Sequence, residues 1–555
     1  MKIKKSYLEY VFLIVFFSTF LLLGLSNMWD KQLRHDFPYA YLASDSFLHQ
    51  ANSEFIKEQG TVKYSPMYLG GGYEEIFNPH PFVLVEMASV LSYFTGLETY
   101  DTIYFMSVLI LFSGILVIYL IIRKFNTNVA LLSLPVTLLV FSKLFNLGLW
   151  WGLWHFMVGV PFMIAVVWCF DRIKLKSMFW IMGIFFAATI SEHIPEAVFI
   201  TGFFIIYILI DYFREKKLNL ERIKRVFYAG LIGILLSIFY IVVFMNTFFV
   251  SEGFRGTPAK GNFGFPDIFI QNLGYLGIVF LIGAVLFFLF MRKGDNILPA
   301  VFSIYMLLVS YLTYLGFGKR AFTHRFFWHA YLAFFFGVAI YYVVKIFIKK
   351  WDTRHSFALA IVILVFFAYL LNPQTKVGQG IMDKETWDAL KWIEKNTEED
   401  AKVYYFVYPG DGLSQAAAIY NSHRVGFKIG YREVASSLEQ GAINRTYGFG
   451  LSDAWETLLC KRAAFSFGSY KNALKTEGDV CEKGIFSPKK PESRTDLCNI
   501  EYYYFNKFTP EEGFRQFNLV LEQTLLKNDW IKEVYSNQMV SILKNEKPGV
   551  ECLGQ

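Results

Sequence analysis

The 555-residue sequence has no P-loop, no dinucleotide-binding glycine fingerprint, no HExxH and no GxSxG. Nucleotide-dependent, zinc-peptidase and serine-hydrolase chemistry in their common soluble forms therefore lack a local foothold. Gly70-Gly71-Gly72 is an isolated glycine run without the strand-to-helix setting of a phosphate loop, so it is not a nucleotide site. Internal repeats and low-complexity tracts are missing. Cysteine is scarce, with five in the chain: Cys169 lies in an apolar run, and Cys460, Cys481, Cys498 and Cys552 lie toward the C-terminus. Charged residues make up only 18%.

What is present is grease. Hydrophobic residues reach 55% and mean hydropathy is +0.37, which excludes an ordinary soluble enzyme. Aromatic residues are 19%, with 60 Phe, a composition suited to lipid-facing helices and interfacial belts. The net charge of +7 sits in short loops between apolar runs, as topology signals do, so the chain is not expected to bind nucleic acid. Apolar runs of span length number about eleven. They lie near 8–27, 102–122, 127–144, 152–170, 177–190, 195–213, 226–250, 268–291, 298–316, 326–347 and 355–371. The first follows MKIKK without a clear small-residue cleavage site, so it reads as a retained membrane helix. The run 81–95 is short, carries Glu86 and reads as an amphipathic helix on the membrane surface.

Lys2, Lys4 and Lys5 place the N-terminus in the cytoplasm, and every second loop is then basic as expected: Arg123 with Lys124, Arg172 to Lys176, 214–225, Arg292 with Lys293, and Lys345 to Lys350. The other loops, 28–101, 145–151, 191–194, 251–267 and 317–325, and everything beyond about 372 fall on the extracytoplasmic side. The predicted architecture is a polytopic α-helical membrane domain over 1–372, with a first external loop at 28–101, and an extracytoplasmic α/β or α+β domain over 373–555. In that domain 383–396 has helical spacing, and 403–407, 501–505 and 534–543 read as strands. Its four cysteines permit two disulfides in any of three pairings. Asn444-Arg445-Thr446 is a glycosylation sequon, a weak signal.

Ionisable groups gather on the extracytoplasmic side. The first loop holds His35, Asp36, Asp45, His49, Glu54, Glu74, Glu75 and His80, and Asp45 with His49 share one helix face at i, i+4. Ionisable residues held against a membrane are costly and mark a functional site by default. His155 follows an aromatic run, and SEHIPE brings Glu192, His193 and Glu196 to an external turn, where Glu196 is expected to be solvated and Pro195 to start the next helix. The loop SEGFRGTPAKG adds Glu252, Arg255 and Lys260. Lys319, Arg320, His324 and Arg325 make a loop basic on the face where basic residues are disfavoured, which an anion such as a lipid phosphate would account for. No cofactor is certain. The carboxylates and imidazoles Asp36, Asp45, His80, His155, Glu192, His193 and Glu252 suit a substrate or a divalent metal, Mg or Mn, although no tight ligand spacing marks one.

In their order and common sidedness these elements resemble the GT-C superfamily of polytopic glycosyltransferases, which use polyprenyl-phosphate or polyprenyl-diphosphate (dolichol-type) sugar donors. The likeness covers the membrane part and, in outline, the tail. SDSFLHQANSEFIKEQG is similar to the family's first loop, with Asp45 on its catalytic acid, and NPHPFVLVEMASVLSYFTG to the amphipathic segment that follows. VSEGFRG resembles the external Ser-Glu element of oligosaccharyltransferase catalytic subunits, with Glu252 on its acid. HRFFWHAYLAFFFGVAI resembles the Arg-Phe helix start, with Arg325 on the residue that meets the lipid phosphate. WDALKWIEKNTEEDAKVYYF is similar to the start of the family's soluble domains. Two elements depart: NLGLWWGLWH lacks the paired acids oligosaccharyltransferases use for metal, and the WWDYG acceptor motif is absent. The sequence also lies near membrane proteins labelled 6-pyruvoyl-tetrahydropterin-synthase-related.

The resemblance implies inverting transfer of a sugar or glycan to a protein, lipid or glycan acceptor, with Asp45, His49 and Glu252 at the catalytic centre. Arg325, Arg320, Lys319 and His324 would hold the donor phosphate. The rival from another class is a transporter or lipid flippase with an external ionisable gate. Transporters place charged sites near the bilayer midplane and often repeat their halves, whereas here the ionisable groups sit at one rim and the halves differ.

Overall fold

The computed structural model describes the chain except for residues 1–4, 27, 29–33, 43, 67, 69–77, 79, 245–265, 293–294, 313–320, 349, 376–377, 379, 408–411, 429–445, 449–493 and 554–555. Gly70 to Gly72, Glu74, Glu75, Glu252, Arg255, Lys260, Lys319, Arg320, Asn444, Cys460 and Cys481 lie outside the described residues.

Among the described residues six helices are long and apolar enough to cross a membrane: Tyr7–Leu25, Thr99–Phe125, Trp154–Asp171, Ile194–Glu215, Thr323–Phe347 and Thr353–Gln374. Leu220–Leu236 with Ile238–Phe244 would make a seventh, bent by 68°. The runs expected near 127–144, 177–190, 268–291 and 298–316 form apolar helices of only 10–17 residues, so among the described residues helices of full length do not reach the count of about eleven spans. Local chemistry explains two of the breaks. Pro135 opens a 3-10 segment, Pro135–Phe141, and cannot donate the hydrogen bond that would continue the preceding α-helix. Gly274, at φ +49, separates Pro266–Leu273 from Tyr275–Phe290.

The amphipathic segment is a helix, Val83–Thr95. It turns Leu84, Val85, Ala88, Ser89 and Ser92 inward, while Tyr93 and Phe94 stand exposed. Its inner face packs on the first-loop helix, Ser44–Gln59, where Ser53 Oγ lies 3.0 Å from Ser89 Oγ. Met87 and Val90 join Tyr93 and Phe94 on the exposed face of this helix.

The C-terminal region is a sheet flanked by helices. Its strands are β1 (Lys402–Phe406), β2 (Val425–Lys428), β3 (Thr446–Gly448), β4 (Arg494–Asp496), β5 (Tyr502–Asn506), β6 (Ile531–Ser536) and β7 (Val540–Asn545). The main sheet runs β2-β1-β5-β7-β6, with β2, β1 and β5 parallel and β7 and β6 antiparallel, and β3 pairs with β4 separately. The segment 534–543, expected as one strand, is the end of β6, a turn and the start of β7. Asn537 forces the reversal, its side-chain oxygen accepting the N–H groups of Met539 and Val540. Alternation sorts the two faces: Tyr404, Phe406, Tyr503 and Phe505 pack on helix Glu512–Leu525 through Phe514, Phe517 and Leu521. Val403, Tyr405 and Tyr504 face the other way, toward Ala417 and Ala418 of helix Gly412–Ser422 and the membrane part. Cys498 and Cys552 form a disulfide, one of the bridges that the four cysteines permit, while Cys169 is a buried free thiol.

This region is built onto the first loop. Tyr41 pairs with Gly380 in an isolated parallel bridge, and Ile381 N–H donates to the Tyr41 carbonyl at 2.8 Å. A Cβ on Gly380 would meet the Tyr41 carbonyl oxygen at 2.5 Å, so only glycine permits the approach.

Candidate active site

Asp45 lies in the first turn of helix Ser44–Gln59 and is exposed. His49, one turn on, is buried. The helix start is held by Gly152, which lies at φ +73 in the turn between helices Leu147–Trp150 and Trp154–Asp171. A Cβ at Gly152 would lie 2.5 Å from Ser46 N and 3.0 Å from the Asp45 carbonyl carbon. The Gly152 carbonyl is 2.9 Å from His49 Nε2. A carbonyl can only accept, so His49 donates from Nε2. Burial first and the neighbouring His155 second hold His49 down to about 3, so it stays neutral at physiological pH.

From His49 a polar chain runs through the membrane part. The His49 ring meets the His155 ring edge-on at 4.2 Å between centroids. His155 Nδ1 is 2.7 Å from Glu192 Oε1, and Glu192 Oε2 accepts the Leu84 N–H at 3.0 Å. His193 bonds Glu196, whose other oxygen is 3.5 Å from His324 Nε2, and His324 Nδ1 meets the Tyr331 hydroxyl at 3.0 Å. Phe156 fills the space between the His193 and His324 rings. Residues from the first, second, third and last external segments expected from sequence are therefore tied together. Glu196, expected as a solvated turn residue, is fully buried, because its carboxylate serves the two imidazoles; Pro195 does start the helix. Sequence reading therefore missed Glu196 as part of this chain, and its i, i+3 spacing from His193 was the available signal.

Arg325 is fully buried, and its guanidinium lies over the rings of Phe322 at 4.8 Å, Tyr311 at 5.2 Å and Trp328 at 5.8 Å. Asp36 is exposed, and His80 is half-buried beside Asn78, whose side chain accepts the His80 N–H at 3.0 Å. His35, by contrast, is committed to structure: its ring meets buried Asp101 at 2.7 Å.

The metal-ligating set named from sequence does not converge. Among the described residues Asp36, Asp45, His80, His155, Glu192 and His193 form no trio with ligand atoms close enough to share an ion, and His155, Glu192 and His193 each have a protein partner instead. The trio that does converge is Glu54, Glu394 and His423, at the junction of the first-loop helix with the C-terminal region, with ligand atoms within 4.8 Å of one another.

No protein-family profile and no curated protein matches the chain. Solved structures do match. ArnT from Cupriavidus metallidurans, bound to undecaprenyl phosphate, aligns over 96% of this chain and 97% of its own at 10% identity, with a TM-score of 0.58. The oligosaccharyltransferase of Archaeoglobus fulgidus, in complex with Zn and sulfate, aligns over 89% of this chain and 68% of its own at 13% identity, TM-score 0.54. The arabinofuranosyltransferase AftD from Mycobacteria aligns over 99% of this chain, which spans 42% of AftD, at 10% identity, TM-score 0.53. The structure therefore shares a helical, GT-C-like fold with these three structures.

Proposed function

We propose that this protein is a membrane glycosyltransferase that moves a sugar or glycan from a polyprenyl-phosphate or polyprenyl-diphosphate lipid to an acceptor at the extracytoplasmic face. The observation that carries the reading is Asp45: an exposed carboxylate at the start of a helix held by Gly152 and His49, in a GT-C fold. A sugar on a long polyprenol stays in the membrane, so its transferase works at the lipid–water boundary.

Asp45 acts as general base on the acceptor hydroxyl, taking its proton as the oxygen attacks the anomeric carbon. The bond from that carbon to the phosphate oxygen breaks, the electron pair leaves with the lipid phosphate, and the configuration inverts. The oxocarbenium-like transition state and the charge growing on phosphate set the remaining requirements. Arg325 answers the phosphate, together with Lys319 and Arg320, which lie outside the described residues, while His324, expected from sequence to join them, is turned to Glu196 and Tyr331. Glu252, also outside them, takes the second acidic role that the resemblance assigns. His49 holds the Asp45 turn in place through Gly152. Among the described residues, the carboxylates and imidazoles named from sequence offer no trio close enough to share an ion.

The N-terminus is placed in the cytoplasm and the C-terminal region outside. The Cys498–Cys552 disulfide supports that side, since such bonds persist in oxidising compartments. Protein reconstituted in liposomes and incubated with a panel of polyprenyl-phosphate sugars tests the function: release of lipid phosphate with loss of the donor sugar supports it, and no turnover of any donor refutes it.

A further inference from the structure

The face of the first-loop helix away from Asp45 carries a second cluster. Glu54 lies nine residues after Asp45, which is about half a turn around the helix and about 14 Å along it. Its carboxylate is met from the C-terminal region by Lys391 Nζ at 3.5 Å and His423 Nε2 at 3.5 Å. Glu394 completes the cluster, 2.7 Å from Lys391 Nζ and 2.9 Å from His423 Nδ1. Gln50 donates to Glu54 at 2.9 Å, and the Tyr68 ring stacks flat on His423 at 4.7 Å. His423 is held at φ +53 directly after helix Gly412–Ser422.

The converging Glu, Glu and His raise the question of a cation. Charge answers it. The Lys391 ammonium already meets both carboxylates, 2.7 Å from Glu394 and 3.5 Å from Glu54, and the His423 ring lies between the same two groups. Burial alone would neutralise His423, yet the neighbouring carboxylates of Glu394 and Glu54 raise it to about 9, and Glu394 is drawn down to about 2 against its own burial by His423 and Lys391. Such a cluster is costly unless every member is paired, so it grips strongly when complete and fails when one member is removed.

We propose that Lys391 and His423 are positioning residues for Asp45: by holding Glu54 on the opposite helix face they fix the rotation of helix Ser44–Gln59, so that the C-terminal region sets the geometry of the site. The link to catalysis rests on the reading of Asp45 above. The same side of the C-terminal region also reaches the helix start, where Tyr420 is pushed up to about 12 by burial first and by the charge of Asp45 second. The groups facing His423 are Glu54, Glu58 and Tyr68 on one side and Lys391 and Glu394 on the other, while neighbouring Arg424 is turned to the Glu394 and Thr397 carbonyls.

The test uses full-length protein in nanodiscs carrying Lys391→Met, His423→Gln or Lys391→Arg. Amide exchange of residues 44–59 is expected to quicken by about ten-fold or more in the first two variants and not in the third, with strand Tyr502–Asn506 unchanged as the control for folding. With a donor that the wild type turns over, kcat falls by about 100-fold in Lys391→Met while donor KM stays within about two-fold, and Lys391→Arg recovers most of it. Unchanged exchange at 44–59 in both disruptive variants overturns the proposal. So does one equivalent of Mn or Zn, added as the metal alone, that the wild type retains and Glu54→Gln does not. If the wild type turns over no donor, the glycosyltransferase reading falls, and amide exchange alone then decides whether the latch exists.

Discussion

The carbonyl of Gly152 accepts a hydrogen bond from His49 at 2.9 Å, and a Cβ on the same glycine would run into the backbone of Ser46 and Asp45. One residue of the second loop thus fixes both turns that carry the first-loop pair. Gly152→Ala must push a methyl into Ser46 N and adopt a left-handed backbone that costs about 1–3 kcal/mol. The expected outcome is a folded protein whose transfer rate falls by about 100-fold through displacement of Asp45, measured by release of lipid phosphate beside an unchanged helical circular dichroism signal.

Asp45→Asn keeps the size and polarity of the side chain and removes the base. Transfer is expected to be abolished, with expression and binding of the polyprenyl-phosphate donor intact. Retained turnover would remove Asp45 from the mechanism.

Arg325→Lys keeps one positive charge but loses the planar fork that can lie among Phe322, Tyr311 and Trp328 and bind phosphate bidentately. Inhibition by free polyprenyl phosphate is expected to weaken about ten-fold or more, at about 1.5–3 kcal/mol for a charged hydrogen bond. Equal inhibition in the two proteins would place the lipid phosphate elsewhere.

Replacing both Cys498 and Cys552 by Ser opens a loop whose ends are 54 residues apart. Chain entropy then predicts a loss of about 4 kcal/mol in the unfolding free energy of the C-terminal region, read by urea titration of tryptophan fluorescence. Thiol labelling of intact cells by an impermeant reagent, after mild reduction, is expected to reach this pair and so report its side of the membrane.

Charge that follows from His49 has a sign of its own. Its ordinary value is 6.5 and its folded one about 3, so the neutral ring stabilises the fold fully above the first value, and that stability drains away as pH falls toward the second. His49→Gln is expected to lose part of the wild type's acid sensitivity across this window in thermal melts.

Much of this molecule is written in runs and periods short enough to be read without coordinates. Among the described residues six apolar stretches become helices of full length, because a residue's water-to-lipid preference does not depend on distant partners. Asp45 and His49 share a helix face because the pitch is local, and Asp383 caps helix Lys384–Asn396 through the Thr386 N–H at 2.7 Å because a cap needs only neighbours in the chain. Where turns and breaks intervene, the reading blurs: the β6–β7 reversal hinges on one asparagine side chain inside a continuous strand-like pattern. Tertiary structure alone decided what meets across long separations. Glu196 is buried because His193 and His324 need its carboxylate, His49 finds a carbonyl 103 residues away, and Glu54 finds Lys391 and His423 in another part of the chain. Hydropathy fixes which segments leave water, but which polar groups then stay together is settled by the requirement that each buried one find a partner, a condition on the whole fold and not on any stretch of it.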